Sequence, residues 1–274
     1  MPFTLIKGRF MPQVGIPDGD SVRFRADNRS LWARLEGVPA ELGKGGQSKE
    51  TVQLRFEGID AIEKGAIKPL ADQALNNMLQ LIGFDKIINP EPTGYILTRM
   101  TDDNSGRPIA FVFAGKTHLR DGAEVFLDGT MARNSVNFKQ AKAGLAYPLY
   151  YNTLFASLRE ELNKAIAKAK SEGSGYWPND QTNIGVTINN YNDLATIPPI
   201  WPKIWRRFEE FLRQNNSLDG VLDFLEKRNE RVSIISSKEE CDLRDLIEVH
   251  GNRVRLIESP DNIIVAGKAG RSVQ

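Results

Sequence analysis

Cysteine and histidine are nearly missing from this 274-residue chain, which has one cysteine, Cys241, and two histidines, His118 and His250. A lone cysteine excludes an intrachain disulfide, and so few thiols and imidazoles argue against a Cys/His zinc site. Any metal has to be a hard ion held by oxygen. No apolar run reaches transmembrane length, and the N-terminal stretch Met-Pro-Phe-Thr-Leu-Ile-Lys-Gly-Arg-Phe lacks the apolar core of a signal peptide. The expectation is a cytoplasmic protein with no membrane contact. Charge of one sign is also scarce: the formal net charge is +1. A nucleic-acid partner would therefore meet a local basic site rather than a basic surface. Residues 1–179 carry 23 Lys and Arg against 20 Asp and Glu, and residues 180–274 carry 13 against 15, so the basic excess lies in the N-terminal part.

What is present is enough apolar material for a sizeable core, 41% of the residues. Phe3 to Phe10 and Ser21 to Ala26 read as short strands around the tight turn Pro17-Asp-Gly19. Residues 27–50, rich in Gly, Lys, Glu and Ser, read as a long hairpin excursion. Strand chemistry resumes at Val52, where Val52, Leu54 and Phe56 alternate with Gln53, Arg55 and Glu57, the period of a half-buried strand. Gly58 ends the alternation, and Asp60 and Glu63 follow in a turn. Ile67 to Leu81 has helical spacing with Gly83 as its stop. Tyr95 to Arg99 and Ile109 to Phe113 read as paired strands whose polar link delivers Arg107. Thr130 to Ala141 and Leu154 to Ser171 read as helices.

The pattern predicts an α+β protein. Residues 1–180 form a small β-barrel with packed helices, the Asn-rich residues 181–196 form a linker, and residues 197–274 form a smaller α+β unit. In that last unit Pro202 opens a helix on which Ile204, Trp205, Phe208, Phe211 and Leu212 recur at helical spacing. A second helix covers about Leu218 to Arg228, and Arg231 to Ser236, Arg253 to Ile257 and Asp261 to Ala266 read as strands.

One guanidinium and two carboxylates at a strand end suit a phosphate and a hard cation. Taken alone they are more often a solvated salt-bridge cluster. More is carried by the order of several pieces: Asp18-Gly-Asp-Ser-Val22, Leu54-Arg-Phe-Glu-Gly-Ile-Asp-Ala-Ile-Glu63, Gly106-Arg107 before an Ala-Phe-Val-Phe strand, Gly144-Leu-Ala-Tyr147 with Tyr150, and a helix closing on Trp177. Over roughly residues 4–178 the chain resembles the staphylococcal nuclease family. The resemblance implies a five-stranded OB-type barrel and a metal-dependent nuclease that hydrolyses DNA, RNA or both and releases the 5′-oxygen. It implies one Ca2+, with Mg2+ or another divalent ion equally suited to the donors, held by Asp20, Asp60 and the carbonyl of Ala61. It assigns the scissile phosphate to Arg55 and Arg107, and the attacking water to Glu63. Ala61 stands where the family usually has Thr, and Ile62 replaces a common Pro in the turn that aims Glu63.

Of Tyr147, Tyr150 and Tyr151, one is expected beside a nucleotide base, with Tyr150 and then Tyr147 preferred, while at least one packs in the core. Asp102 and Asp103 are read as turn formers that position Arg107. The alternative to catalysis is a nucleic-acid- or protein-binding module on the same barrel. Residues 197–274 carry no catalytic constellation and are expected to pack on the barrel, to mediate homo-oligomers, or to bind a protein partner.

Overall fold

The computed structural model describes residues 2–267. The chain folds into mixed α+β structure around a barrel-like sheet, and the stretch that closes the barrel is Val52 to Phe56. In chain order the first elements are β1 (Phe3–Phe10), β2 (Arg23–Ala26), β3 (Val52–Gln53), β4 (Arg55–Phe56), β5 (Ile59–Asp60), α1 (Lys68–Leu81), β6 (Thr93–Thr101), β7 (Pro108–Ala114) and β8 (Glu124–Val125). The main sheet runs β3-β2-β1-β6-β7-β4, with β8 on β1. Its two ends, β3 and β4, are halves of one extended run broken only at Leu54. β3 pairs antiparallel with β2, and β4 pairs parallel with β7. The same run therefore contacts both edges and nearly closes the sheet into a barrel, which removes exposed edges. Alternation puts Val52, Leu54 and Phe56 in the core, at most 1% exposed, and leaves Gln53 and Arg55 half-buried.

Next come α2 (Gly129–Ala132), α3 (Val136–Lys142), β9 (Tyr147–Pro148), β10 (Tyr150–Tyr151) and α4 (Ala156–Ser171). The single helix expected over Thr130–Ala141 is two. Asp128 caps the first through Met131 N–H, and Ser135 caps the second through Phe138 N–H. Two N-cap side chains seven residues apart each start a helix, so the chain breaks between them. Residues 27–50 also depart from a plain hairpin. A 3-10 turn at Arg29–Arg34, capped by Asn28, buries Leu31 and Trp32, and the rest is tied to the sheet by single bridges, Glu36 to Met100 and Leu42 to Val52, and by scattered hydrogen bonds such as Thr101 Oγ1 to the Val38 carbonyl.

The last elements are β11 (Val186–Thr187), α5 (Pro202–Leu212), α6 (Val221–Arg228), β12 (Arg231–Ile234), β13 (Glu240–Asp242), β14 (Ile247–His250), β15 (Arg253–Leu256) and β16 (Ile263–Val265). The stretch expected as a linker contributes β11, which pairs with β15, and it buries Ile188 and Leu194. β16 pairs parallel with β10, Tyr150 opposite Ile264, so the C-terminal strands continue from the barrel side of the chain. The aromatic face of α5 is core: Trp201, Ile204, Trp205 and Phe208 belong to the same buried cluster as the barrel interior. The indole N–H of Trp201 donates to the Pro148 carbonyl at 2.9 Å, and that of Trp205 to the Leu194 carbonyl at 3.0 Å. Residues 197–267 thus spend this apolar face on the chain's own barrel. Among the described residues, no helix is long and apolar enough to cross a membrane.

Candidate active site

Four separate pieces of chain deliver the site. The parallel register sets Arg55 beside Ile109, and two residues before Ile109 stands Arg107. Side chains two apart share a face of a strand, so both guanidiniums emerge on one side. The Asp18–Asp20 loop is tied to the same run: Phe56 N–H donates to the Asp20 carbonyl at 2.9 Å, and Leu54 N–H to Val22 at 3.0 Å. Gly58, at φ +78°, turns the chain out of β4 and into β5; an added Cβ would also lie 2.6 Å from Leu162. β5 then pairs Asp60 with Tyr147 of β9, and Ala61 N–H donates to Asp20 Oδ2 at 3.2 Å. Gly19 admits this approach, because a Cβ there would sit 2.7 Å from that of Ala61 and 2.8 Å from that of Ala74.

Asp18, Asp20, Asp60, Glu63, Arg55 and Arg107 line one cavity of about 180 Å3. Of the residues expected in the site from sequence, the structure brings Asp20, Arg55, Asp60, Glu63 and Arg107 together there, with Ala61 hydrogen-bonded to Asp20 at its edge. Ile62 is buried, 4% exposed, so the turn without its proline is held by packing and still presents Glu63 to the cavity.

The tyrosines need correction. Tyr150 is wholly buried and its hydroxyl donates to Asn163 Oδ1 at 2.5 Å; Tyr147 is wholly buried, stacked on Tyr176, and donates to Asp180 at 2.6 Å. Neither ring is open to a base. Tyr151, the next residue, points the other way along the strand. It accepts from Arg55 Nη2 at 3.2 Å and lies under that guanidinium, 5.3 Å from its centroid. Tyr151 lines a second, adjoining cavity of about 310 Å3 together with Arg55 and Arg107.

Several residues of the site were not visible in the sequence. α3 is a polar clamp. Buried Asn137 donates to the carbonyls of Glu57 and Ala110, both at 2.9 Å, and accepts from Val112 N–H, stitching β4 to β7 where their short ladder ends. One turn on, buried Gln140 donates to the Gly19 carbonyl at 2.7 Å and to Ala74 at 2.9 Å, fixing the Asp18–Asp20 loop on α1. Arg206 of α5 enters from 146 residues away. Its guanidinium makes a two-point contact with Asp60, at 2.9 and 2.8 Å, and reaches Glu63 Oε1 at 2.5 Å. The one sequence signal for it is charge: four carboxylates gathered around two arginines call for another cation.

Electrostatics follow from that crowding. Burial pushes the Asp20 carboxyl well above the usual carboxylate range, and the neighbouring Asp18, Asp60 and Glu63 push it further. Burial also raises Glu63, although Arg206 pulls it back. Arg55 stays charged, since Tyr151 and Asp60 more than offset its burial. Burial raises Asp102 as well, but hydrogen bonds from Ser105 and the charge of Arg107 outweigh it, so Asp102 is held below the usual range. Asp102 Oδ2 takes Arg107 Nε at 3.0 Å, and Ser105 Oγ takes the same N–H at 3.0 Å. Both contacts use Nε, so the terminal amino groups of Arg107 keep their donors for a ligand.

The donor types suit a hard divalent cation, but their arrangement does not accept one. Both oxygens of Asp60 and one of Glu63 are committed to Arg206, and among the described residues no group of three His, Cys, Asp or Glu side chains is placed to hold a metal. No protein-family model matches the chain, and comparison with the curated proteins returns no match.

Proposed function

We propose that the chain is a phosphodiester hydrolase acting on nucleic acid, built on an OB-type barrel. The observation that supports this most is the convergence of Asp20, Arg55, Asp60, Glu63 and Arg107, from three stretches of chain, on one cavity. Arg55 and Arg107, which line the same cavity, hold the two non-bridging oxygens of one phosphate, where guanidiniums stabilise the charge that grows during displacement. Glu63, made more basic by burial, takes a proton from the attacking water. The water oxygen bonds to phosphorus, the bond to the 5′-oxygen breaks, and that oxygen leaves with the pair.

The test is cleavage of single-stranded DNA, duplex DNA and RNA, with Ca2+ and with a chelator. Arg55→Lys keeps the charge but loses the fork, and is expected to lower turnover about tenfold to a hundredfold; Glu63→Gln is expected to lower it about a hundredfold. Absence of cleavage by the wild-type protein on every substrate and with every divalent ion would remove the proposal.

A second reading, a nucleic-acid-binding module without catalysis, has one observation in its favour: Arg206 neutralises the two carboxylates that catalysis needs. It expects oligonucleotide binding that survives Asp60→Asn combined with Glu63→Gln, with no cleavage by either protein.

A further inference from the structure

Arg206 stands where the two cavities meet. It lines the acidic one with Asp60 and Glu63, and the larger basic one with Arg55 and Arg107. On the acidic side four carboxylates face three guanidiniums. Without Arg206 the carboxylates outnumber the guanidiniums by two, the charge of one divalent ion. The guanidinium therefore does for Asp60 and Glu63 what a divalent cation would do, and it occupies their oxygens while it does so.

The helix that carries Arg206 is fixed by packing, whereas the Arg206 side chain, held by its contacts to Asp60 and Glu63, is partly exposed. Trp201, Lys203, Ile204 and Trp205 are each 5% exposed or less. Lys203 is paired to Glu230 at 2.9 Å, and the same carboxylate takes Arg207 at 2.6 Å. Undocking α5 would expose all of this. The Arg206 side chain is 28% exposed against 4% for Asp60, and the basic cavity beside it gives about 310 Å3 into which it can turn. Acceptors wait there in Asp102, Asp103 and the phosphate that Arg55 and Arg107 are placed to hold. Rotation about the Arg206 side-chain bonds, with α5 left in place, uncovers the carboxylates.

We infer that Arg206 is a displaceable internal cation that holds the hydrolase site shut against divalent metal. The inference rests on the reading of Asp20, Asp60 and Glu63 as the hydrolase site. A metal ion has to compete with the guanidinium for Asp60 and Glu63, so the closed form binds metal weakly, and the loss of Arg206 frees those two side chains to turn toward Asp20 around an ion. The reach of Arg206 from the C-terminal unit makes that unit part of the control of the site.

The experiment is calorimetric titration of Ca2+ into the full chain, comparing the wild-type protein with Arg206→Met and Arg206→Gln. Both variants are expected to bind one Ca2+ at least tenfold more tightly than the wild type, and adding Asp60→Asn to either should abolish it. Because either variant leaves acids unpaired, each is also followed by thermal denaturation across a Ca2+ series. The melting temperature of the variants should climb steeply with Ca2+, or folding should return with Ca2+, while the wild type moves little. Equal Ca2+ affinity in wild type and variants overturns the inference, as does the absence of Ca2+ binding and of Ca2+-dependent folding in both variants. Tight binding by the variants with no cleavage by any form would leave the inference standing and remove the hydrolase reading. Cleavage by the wild type at the same half-saturating Ca2+ as the variants would do the reverse.

Discussion

Trp201→Ala is expected to lower the folding free energy by about 3–5 kcal/mol, the range for truncating a large buried aromatic. Trp201 heads the fully buried side chains. It joins the two halves of the chain: its indole donates to the Pro148 carbonyl and its backbone N–H donates to Thr182 Oγ1, each at 2.9 Å. Truncation removes the ring's apolar contacts, leaves a cavity, and orphans a buried carbonyl, and each of these destabilises on its own. The damage also reaches the site. Pro148 pairs with Ile59 and its neighbour Tyr147 pairs with Asp60, while Trp201 precedes the helix that aims Arg206. Urea denaturation of both proteins measures the loss, with Tyr191→Ala as the comparison. Tyr191 is 41% exposed, and its truncation should change stability by only about 0.5 kcal/mol. A loss below about 1 kcal/mol for Trp201→Ala would mean that the C-terminal unit is held by its strands rather than by α5.

How much of this was legible in the sequence depends on the range of the interaction. Val52 to Phe56 was readable because alternation is a local property, whereas the partnership of Arg55 with Arg107 was implied only by the family resemblance, because two residues 52 apart leave no local pattern. The choice among the tyrosines was not readable. β10 is two residues long, so Tyr150 and Tyr151 carry the same ring to opposite faces, and nothing local says which face is core. The roles of Asn137 and Gln140 were hidden for a related reason. Polar side chains on a helix are expected outward, and here backbone carbonyls of Glu57, Gly19 and Ala74 need donors, which turns them inward. Two caps, Asp128 and Ser135, split one expected helix although each was in plain view, because apolar spacing continued across the break. Arg206 was beyond reach altogether. The period of α5 placed Trp205 and Phe208 inward correctly, but a contact between Arg206 and Asp60 leaves no trace in either local pattern.

The stability of the barrel should fall as pH rises through neutrality, and Glu57 is the residue responsible. It is 4% exposed in the turn just after the closing strand, and burial pushes its carboxyl up to about 7, against the pull of Arg99 and Arg55 in the opposite direction. Its place is not negotiable, because its backbone N–H donates to Ala110 and its carbonyl accepts from Asn137. In the unfolded chain a glutamate titrates near ~4.3. The folded value is the higher one, so this contribution to stability is fully present below about pH 4.3 and is lost as pH rises through about 7. Across that window the loss amounts to about 4 kcal/mol, at about 1.4 kcal/mol for each pH unit between the two values. Glu57→Gln keeps the shape and the neutral state that the interior favours. The variant is therefore expected to be more stable than the wild type by about 4 kcal/mol at pH 8, with the difference shrinking toward zero near pH 4.5. Asp20 and Glu63, whose carboxyls are also raised, act in the same sense in both proteins, so the comparison between them isolates Glu57. Urea denaturation at pH 4.5, 6 and 8 decides it: a difference that does not change with pH would show Glu57 charged in the folded protein and paired with Arg99.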